Sequence, residues 1–237
     1  MSSRAGVILG GAVVWALFAA RPILAQPSVP FVGCVSYGQV KRVEAPLHAS
    51  RSVQIGARGA ALLAYYESGD GIGVLAPRGW HCLGASGSSG SVLWVSPRLI
   101  DPREIGIFEG PAVELQRVSD ENSGSYQIAE VMARVFPAYR AYAEKVWALP
   151  DVPFPSGRSP GDRLTYKGKT VVEYKTAGKE GMGTRFGRLS KDGGVVTGVV
   201  SLIGGGHEML LLSMRLPAEL MMLERVIVGD VEREARK

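Results

Sequence analysis

Residues 73–97, GVLAPRGWHCLGASGSSGSVLWVSP, hold the features that decide the fold of this chain. Residues 91–96 are rich in β-forming side chains and are bounded by Gly90 and Pro97, which predicts a strand. Residues 74–77 begin the stretch with a second apolar run, and Cys82 lies between the two. A sheet, a covalent link and a Gly/Ser-rich turn are therefore expected within a few residues of one another.

The chemistry of this stretch favours a turn over an active site. Neighbouring side chains of an extended segment face opposite ways, so His81 is not expected to activate Cys82 as a nucleophile. The run 84–90 lacks a hydrolase elbow because Ser88 occupies the position of its last glycine, and the strand that follows excludes a phosphate loop. We predict a flexible hairpin loop whose free amides form a candidate anion-binding loop. Its residues are Gly84, Ser86, Gly87, Ser88 and Gly90.

The chain has two cysteines, Cys34 and Cys82, and in an exported protein such a pair predicts one disulfide. The alternative is a lipid anchor on Cys34, since residues 31–34 weakly resemble a lipoprotein cleavage box. Phe31 is a poor residue for that box, and Pro27 and Pro30 separate it from the apolar run. We therefore favour the disulfide.

The first 25 residues have the pattern of a secretory signal peptide. Arg4 precedes an apolar run over residues 5–20, and Ala25 supplies the small residue before the expected cleavage site. The alternative, an uncleaved anchor, needs about 20 apolar residues, which this run does not reach. We expect a signal peptide at 1–25, a linker at 26–33 and one domain at 34–237, with no spanning helix in the mature chain. That chain would be periplasmic or secreted.

The remaining periodicity predicts an α+β domain with a central antiparallel sheet, packed helices and one disulfide. Apolar spacing in 123–136 predicts the clearest helix, and a second is expected at 59–68. A closing helix is expected to begin at Pro217 and to reach about residue 228. Further strands are predicted at 105–108, 112–118, 163–166, 170–176, 184–189, 195–203 and 208–216.

The charge pattern suggests one candidate surface. The net charge of +5 falls to +3 when Arg4 and Arg21 leave with the signal, so we do not expect nucleic acid as a partner. Basic residues concentrate in 158–191, where they form either an anion-facing patch or ordinary solvated hairpins. An anionic envelope component or an acidic protein would fit such a patch. Its residues are Arg163, Lys167, Lys169, Lys175, Arg185 and Arg188.

Metal and acid–base motifs are weak. Residues 207–211 begin like a zinc-protease helix, but Leu211 stands where the second histidine is required. We expect no metal and no cofactor. Several carboxylates lie in or beside predicted strands without a catalytic pattern, and we assign them no role. These are Asp70, Glu109, Glu114 and Glu173.

Three segments carry a resemblance to an uncharacterised family of exported bacterial proteins. They are GVLAPRGWHC in 73–82, VEYKTAGKEGMGT in 172–184 and LLLSMRLPAEL in 210–220. The order of elements is similar, more loosely, to the PsbP-like α/β/α fold of accessory proteins, which implies a binding or assembly role. Neither resemblance implies a catalytic residue.

Together these features predict an exported, non-catalytic binding or assembly protein. One alternative is an envelope hydrolase whose catalytic residues the sequence does not locate. Another is an envelope protein that stays attached to the membrane.

Overall fold

A computed structural model describes residues 28–148, 153–155 and 157–236. The predicted signal peptide lies outside these ranges. The described residues form the predicted α+β fold, with twelve strands, five α-helices and a disulfide between Cys34 and Cys82.

The strands and helices follow one another along the chain with mostly short connections. The strands are β1 (Phe31–Cys34), β2 (Ser36–Tyr37), β3 (Arg42–Val43), β4 (Leu63–Ser68), β5 (Gly73–Pro77), β6 (His81–Gly87), β7 (Gly90–Ser96), β8 (Ala112–Ser119), β9 (Asp162–Tyr166), β10 (Val171–Thr176), β11 (Val196–Ile203) and β12 (Glu208–Arg215). The helices are α1 (Ala57–Leu62), α2 (Gly124–Val135), α3 (Arg140–Val146), α4 (Met182–Arg185) and α5 (Glu224–Glu234), with short 3-10 turns at Pro137–Tyr139, Gly204–Gly206 and Ala218–Leu223.

Nine strands form a large sheet in the order β3-β2-β6-β7-β8-β12-β11-β10-β9. All neighbours are antiparallel except β2 and β6, which run parallel. The sheet brings β8 beside β12, so two halves of the chain that are far apart in sequence meet at its centre.

A second sheet, in the order β1-β4-β5, packs against one face of the large sheet, and the disulfide joins the two. Cys34 ends β1 and Cys82 lies in β6, with their Cα atoms 5.5 Å apart. Gly84 permits this close packing, because a Cβ there would lie 2.6 Å from the Cβ of Ser68.

The two faces of the large sheet have different covers and separate cores. The small sheet and α5 cover one face over a core that includes Leu93, Leu115 and Leu212. On the opposite face, which we call the helix face, α2 and α3 pack over a core that includes Val118 and Leu211. Alternation along each strand produces these two cores, since successive side chains point to opposite faces.

Helix α2 confirms the clearest sequence prediction. Its buried side chains include Ile128, Val131, Met132 and Val135, the apolar face expected from their spacing. Pro137 then separates α2 from α3, because proline lacks the N–H that continues a helix. Within the described ranges, no helix combines the length and apolar character needed to cross a membrane.

Five predicted boundaries are wrong. The closing helix, expected from Pro217 to about residue 228, is a 3-10 turn at Ala218–Leu223 followed by α5, which ends at Glu234. Residues 59–68 were expected as one helix, but α1 ends at Leu62 and Tyr65 and Tyr66 lie in β4, where pairing with both β1 and β5 outweighs local helix propensity. Residues 105–108 form only a single bridge, from Phe108 to Leu189. Residues 184–189 contain the end of α4 instead of a strand. Residues 31–33, expected in the linker, belong to β1.

Candidate functional site

A row of polar and aromatic residues crosses the helix face of the large sheet. Trp94 pairs in register with Glu114, Glu114 with Ser213, Ser213 with Gly198, and Gly198 with Tyr174. These residues therefore lie side by side on five adjacent strands, although they come from distant parts of the sequence.

Tyr174 lies across Gly198 to reach the middle of this row. Its hydroxyl lies 2.6 Å from the carbonyl oxygen of Leu212 and 2.7 Å from Oγ of Ser213, and it donates to one of them. A Cβ at Gly198 would lie 2.5 Å from the tyrosine oxygen, so glycine provides the space. Full burial raises the pKa of Tyr174, which keeps the phenol protonated.

Glu114 is the buried carboxyl of the row, with 1% of its surface exposed. Its Oε2 accepts the main-chain N–H of Arg188 at 2.7 Å, and its Oε1 accepts Nε2 of Gln116 at 2.7 Å. Burial raises the pKa of Glu114, while these hydrogen bonds, the nearby indole of Trp94 and the charge of Arg188 lower it in part. A carboxyl that titrates above its ordinary range therefore lies in the floor of the site.

Residues 185–188, which we call the strap, pass directly over this carboxyl. Gln116 donates from Nε2 to the carbonyl oxygen of Phe186 at 2.5 Å. Glu114 and Gln116 thus bind one main-chain N–H and one main-chain carbonyl of the strap, the two kinds of group that a neighbouring strand would bind. Gln127 of α2 donates to Oε1 of Gln116 at 3.0 Å. A Cβ on Gly187 would lie 2.5 Å from Glu114, so only glycine fits at this crossing.

A cleft of about 350 Å³ opens between the strap and the β6–β7 hairpin. Small-molecule sites in proteins begin at about this volume. Its floor includes Trp94, Glu114 and Gln116, and Gln127 lies on its wall. The hairpin side contributes Ala85, Ser86, Gly87, Ser89, Gly90, Ser91 and Val92, and the strap contributes all four of its residues.

The indole of Trp94 and the guanidinium of Arg188, which line the cleft, are donors without hydrogen-bond partners in the described part of the chain. Trp94 is 5% exposed, and its indole Nε1 lies near Glu114 without completing a hydrogen bond to it or to any other described residue. Arg188 is exposed, and its guanidinium forms no ion pair or hydrogen bond within the described part of the chain. Arg185 differs, because it donates to Glu130 at 2.7 Å and also binds Glu180.

A second cleft, of about 530 Å³, lies on the other side of the strap. Arg185 to Arg188 line both clefts, and Lys191 and Asp192 line only the second. The strap therefore separates two neighbouring cavities.

The predicted hairpin loop is shorter than expected. Gly84, Ser86 and Gly87 belong to β6 and Gly90 begins β7, so pairing across the hairpin leaves only Ser88 and Ser89 between the strands. The expectation of a flexible loop at 84–90 is therefore corrected to a tight turn. Ser86, Gly87 and Gly90 line the cleft, whereas Gly84 packs against the small sheet.

The six predicted basic residues do not form one patch. Arg185 and Arg188 lie at the cleft, on the helix face. Lys175 binds Glu224 of α5 at 3.4 Å on the opposite face, and Lys167 binds Glu173 at 3.2 Å. Arg163 pairs in register with Lys175, and Lys169 is exposed between β9 and β10. Strand alternation and ion pairing thus divide a charge run that looks continuous in the sequence.

The histidines are distributed over the surface. His81 is exposed while its neighbour Cys82 forms the disulfide, in agreement with the prediction that their side chains diverge. His207 lies 2.5 Å from Asp120 through Nδ1 and is largely exposed. No cluster of three histidine, cysteine or acidic side chains suited to a metal occurs among the described residues.

Sequence reasoning missed Trp94, Gln116 and Gln127 as members of the site and gave Glu114 no role. The alternation of side chains along residues 112–118 could have located part of the site, because it places Glu114 and Gln116 on the same face as Val118. That pattern indicates a polar group on a buried face.

Comparison of the chain with protein families, with curated proteins and with solved structures finds no significant match.

Proposed function

We propose that this chain is an exported, non-catalytic binding protein whose ligand occupies the cleft between the strap and the β6–β7 hairpin. The observation that carries the proposal is the cleft itself, which has a buried polar floor and an unpartnered donor on Trp94. A buried donor without a partner costs free energy, and a ligand that accepts its hydrogen bond would recover it.

The state of Glu114 supports binding over hydrolysis. Its Oε2 accepts a hydrogen bond from the strap, and its Oε1 accepts one from Gln116, which itself binds the strap, so this carboxyl maintains the shape of the cleft. A catalytic carboxyl would need an oxygen directed at the reacting group. The remaining polar side chains of the cleft are hydroxyls, amides and guanidinium groups, which suit recognition.

Export is supported by the disulfide and by the N-terminal sequence. A buried cross-link between two sheets is typical of proteins from oxidising compartments. We propose cleavage after Ala25 and residence in the periplasm or outside the cell, where an anionic envelope component or an acidic protein would be available as a partner.

Native mass spectrometry of the full gene product, purified from the envelope of producing cells, tests the binding proposal directly, because a bound molecule adds its own mass to that of the chain. We expect a retained small molecule on the wild type. Ala85→Trp should remove it, because Ala85 lines the cleft. Ser88→Trp is the matched control, since Ser88 is exposed in the same hairpin and does not line the cleft.

Circular dichroism confirms that both variants fold. A wild-type chain that carries no small molecule would contradict the proposal, as would equal retention of the molecule by the wild type and both variants. The same spectra give the intact mass, which should correspond to loss of residues 1–25 and of two hydrogens at the disulfide. A chain that retains residues 1–25 would contradict cleaved export.

A further inference from the structure

We infer that the cleft binds an oxyanion, carboxylate or phosphate-like, between the Arg188 guanidinium and the Trp94 indole N–H, and that Glu114 takes up a proton as the anion binds. This inference rests on the proposed function, because it names the class of ligand that the cleft selects.

The Trp94 indole and the Arg188 guanidinium are groups of the cleft that can only donate hydrogen bonds, and their lack of partners defines the ligand chemistry. Trp94 offers a buried indole N–H, which requires an acceptor. Arg188 offers a guanidinium without a protein carboxylate bound to it, whereas Arg185 is already paired with two glutamates. A negatively charged oxygen acceptor satisfies both groups, and hydrogen bonds between ionised partners are the strongest that such a site can form.

The hairpin side of the cleft leaves room for this ligand. Gly87 and Gly90 present no side chain, and Ala85 and Val92 present small ones. Ser86 and Ser91 pair in register, and their side chains share a face with Leu93, so they contribute main chain to the cleft. Ser89, in the turn, makes no hydrogen bond through its hydroxyl within the described part of the chain, so this hydroxyl is available to a further ligand oxygen. The ligand is therefore a compact polar anion rather than an apolar molecule.

Arg188 connects the anion to the carboxyl in the floor. Its main-chain N–H binds Glu114, and its positive charge favours the ionised form of that carboxyl. An anion on the guanidinium would neutralise this charge and place negative charge near Glu114. Both changes favour the protonated carboxyl, so binding draws one proton from solvent onto Glu114.

The other groups around Glu114 do not supply a competing charge. The side chains that face it are Trp94 from β7, Gln116 from its own strand, Ser213 from β12 and Tyr174 from β10. The first three carry no charge, and Tyr174 is neutral because its phenol stays protonated. An anion bound at the Trp94 indole would also place its negative charge beside Glu114, which favours the protonated carboxyl further. Anion binding at Arg188 and Trp94 is therefore expected to dominate the titration of Glu114.

The test follows the indole N–H of Trp94 by proton–nitrogen correlation NMR of the full chain, with Trp94→Phe to assign the peak. Sulfate is the probe, because it remains a dianion throughout the range above pH 4.5 into which burial moves the titration of Glu114. Dimethyl sulfone is the neutral control, since it has sulfonyl oxygens without charge.

We expect sulfate to shift the Trp94 peak saturably and dimethyl sulfone to leave it unchanged. Arg188→Gln should weaken sulfate at least about tenfold. Lys191→Gln, which removes an equal charge from the second cleft only, should not. Affinity should fall as the pH rises, and Glu114→Gln should abolish that dependence while sulfate still binds.

A shift with dimethyl sulfone but not with sulfate would overturn the oxyanion inference and leave the cleft as a binding site. A peak that neither probe moves would also overturn it, while a retained molecule in the native mass spectrum would still support the proposed function. If Arg188→Gln and Lys191→Gln weaken sulfate binding equally, the affinity depends only on the net charge of the region, which would contradict the assigned site.

Discussion

The carboxyl of Glu114 accepts the main-chain N–H of Arg188 at 2.7 Å, across 74 positions of the sequence. This hydrogen bond holds the strap over the centre of the large sheet and makes it a wall of the cleft. Because Glu114 is buried, the bond forms away from competing water and positions the strap strongly.

Glu114→Gln should change the pH dependence of stability. Burial raises the pKa of the folded carboxyl above its ordinary value of 4.5, so the folded chain binds this proton more tightly than the unfolded chain. The resulting stabilisation is complete below pH 4.5 and is lost as the pH rises through the folded pKa. Over that window the free energy of unfolding should fall by at most about 1.4 kcal/mol per pH unit.

The glutamine variant should lack this contribution, which urea unfolding at a series of pH values would measure. The slope is the readout, because the new amide also loses a hydrogen bond from Gln116 and lowers stability at every pH. Glu219→Gln, at an exposed position, is the control and should keep the wild-type profile. Identical profiles for all three proteins would show that Glu114 does not titrate in this window.

Gly198→Ala should destabilise the fold by about 1–3 kcal/mol or more, because the new methyl group would overlap the Leu212 carbonyl oxygen and press on Tyr174. Thermal unfolding measures the change. Gly56→Ala is the matched control, since nothing lies within 4 Å of its Cβ position. A melting temperature equal to that of the control would refute the close crossing of Tyr174.

Removal of the disulfide with Cys34→Ser and Cys82→Ser together should lower the free energy of unfolding by about 4 kcal/mol. The bond closes a loop with a sequence separation of 48, and the chain-entropy estimate for such a loop gives this value. Denaturant unfolding with and without a reductant is the measurement. Reductant should destabilise the wild type and leave the double variant unchanged; equal sensitivity of the two would contradict the prediction.

Arg215→Lys should loosen the loops at 105–111 and 189–195. The buried guanidinium donates to carbonyl oxygens in both loops, and a single ammonium group cannot reach them all. We expect a loss of about 1–3 kcal/mol and faster amide exchange in both segments by hydrogen-exchange mass spectrometry. Arg225→Lys, at an exposed position on α5, is the control, and unchanged exchange in Arg215→Lys would contradict this role.

Much of the fold could be predicted from local pattern. The spacing in α2, the β-rich segments of β7 and β11 and the pair of cysteines each carry their structure in a short stretch of sequence. Prediction was wrong where tertiary pairing prevails. Tyr65 and Tyr66 follow an alanine-rich stretch, yet β4 lies between two partners that satisfy its main chain on both sides.

The site could be predicted only in parts. Ser86, Gly87, Gly90, Arg185 and Arg188 were each candidates, but their meeting depends on the order β7-β8-β12-β11-β10, which no local pattern encodes. The same order carries Lys167 and Lys175 away from the cleft and next to acidic partners. Glu114 had no assigned role because a glutamate in a strand usually marks a solvated face.

The most direct test of the account is a crystal structure of the protein purified from the envelope without added small molecules. The account predicts electron density for a compact ligand in the cleft, with an oxygen atom within hydrogen-bond distance of both the Arg188 guanidinium and Nε1 of Trp94. A cleft filled by the protein's own side chains, or a ligand bound elsewhere while the cleft holds only water, would contradict it.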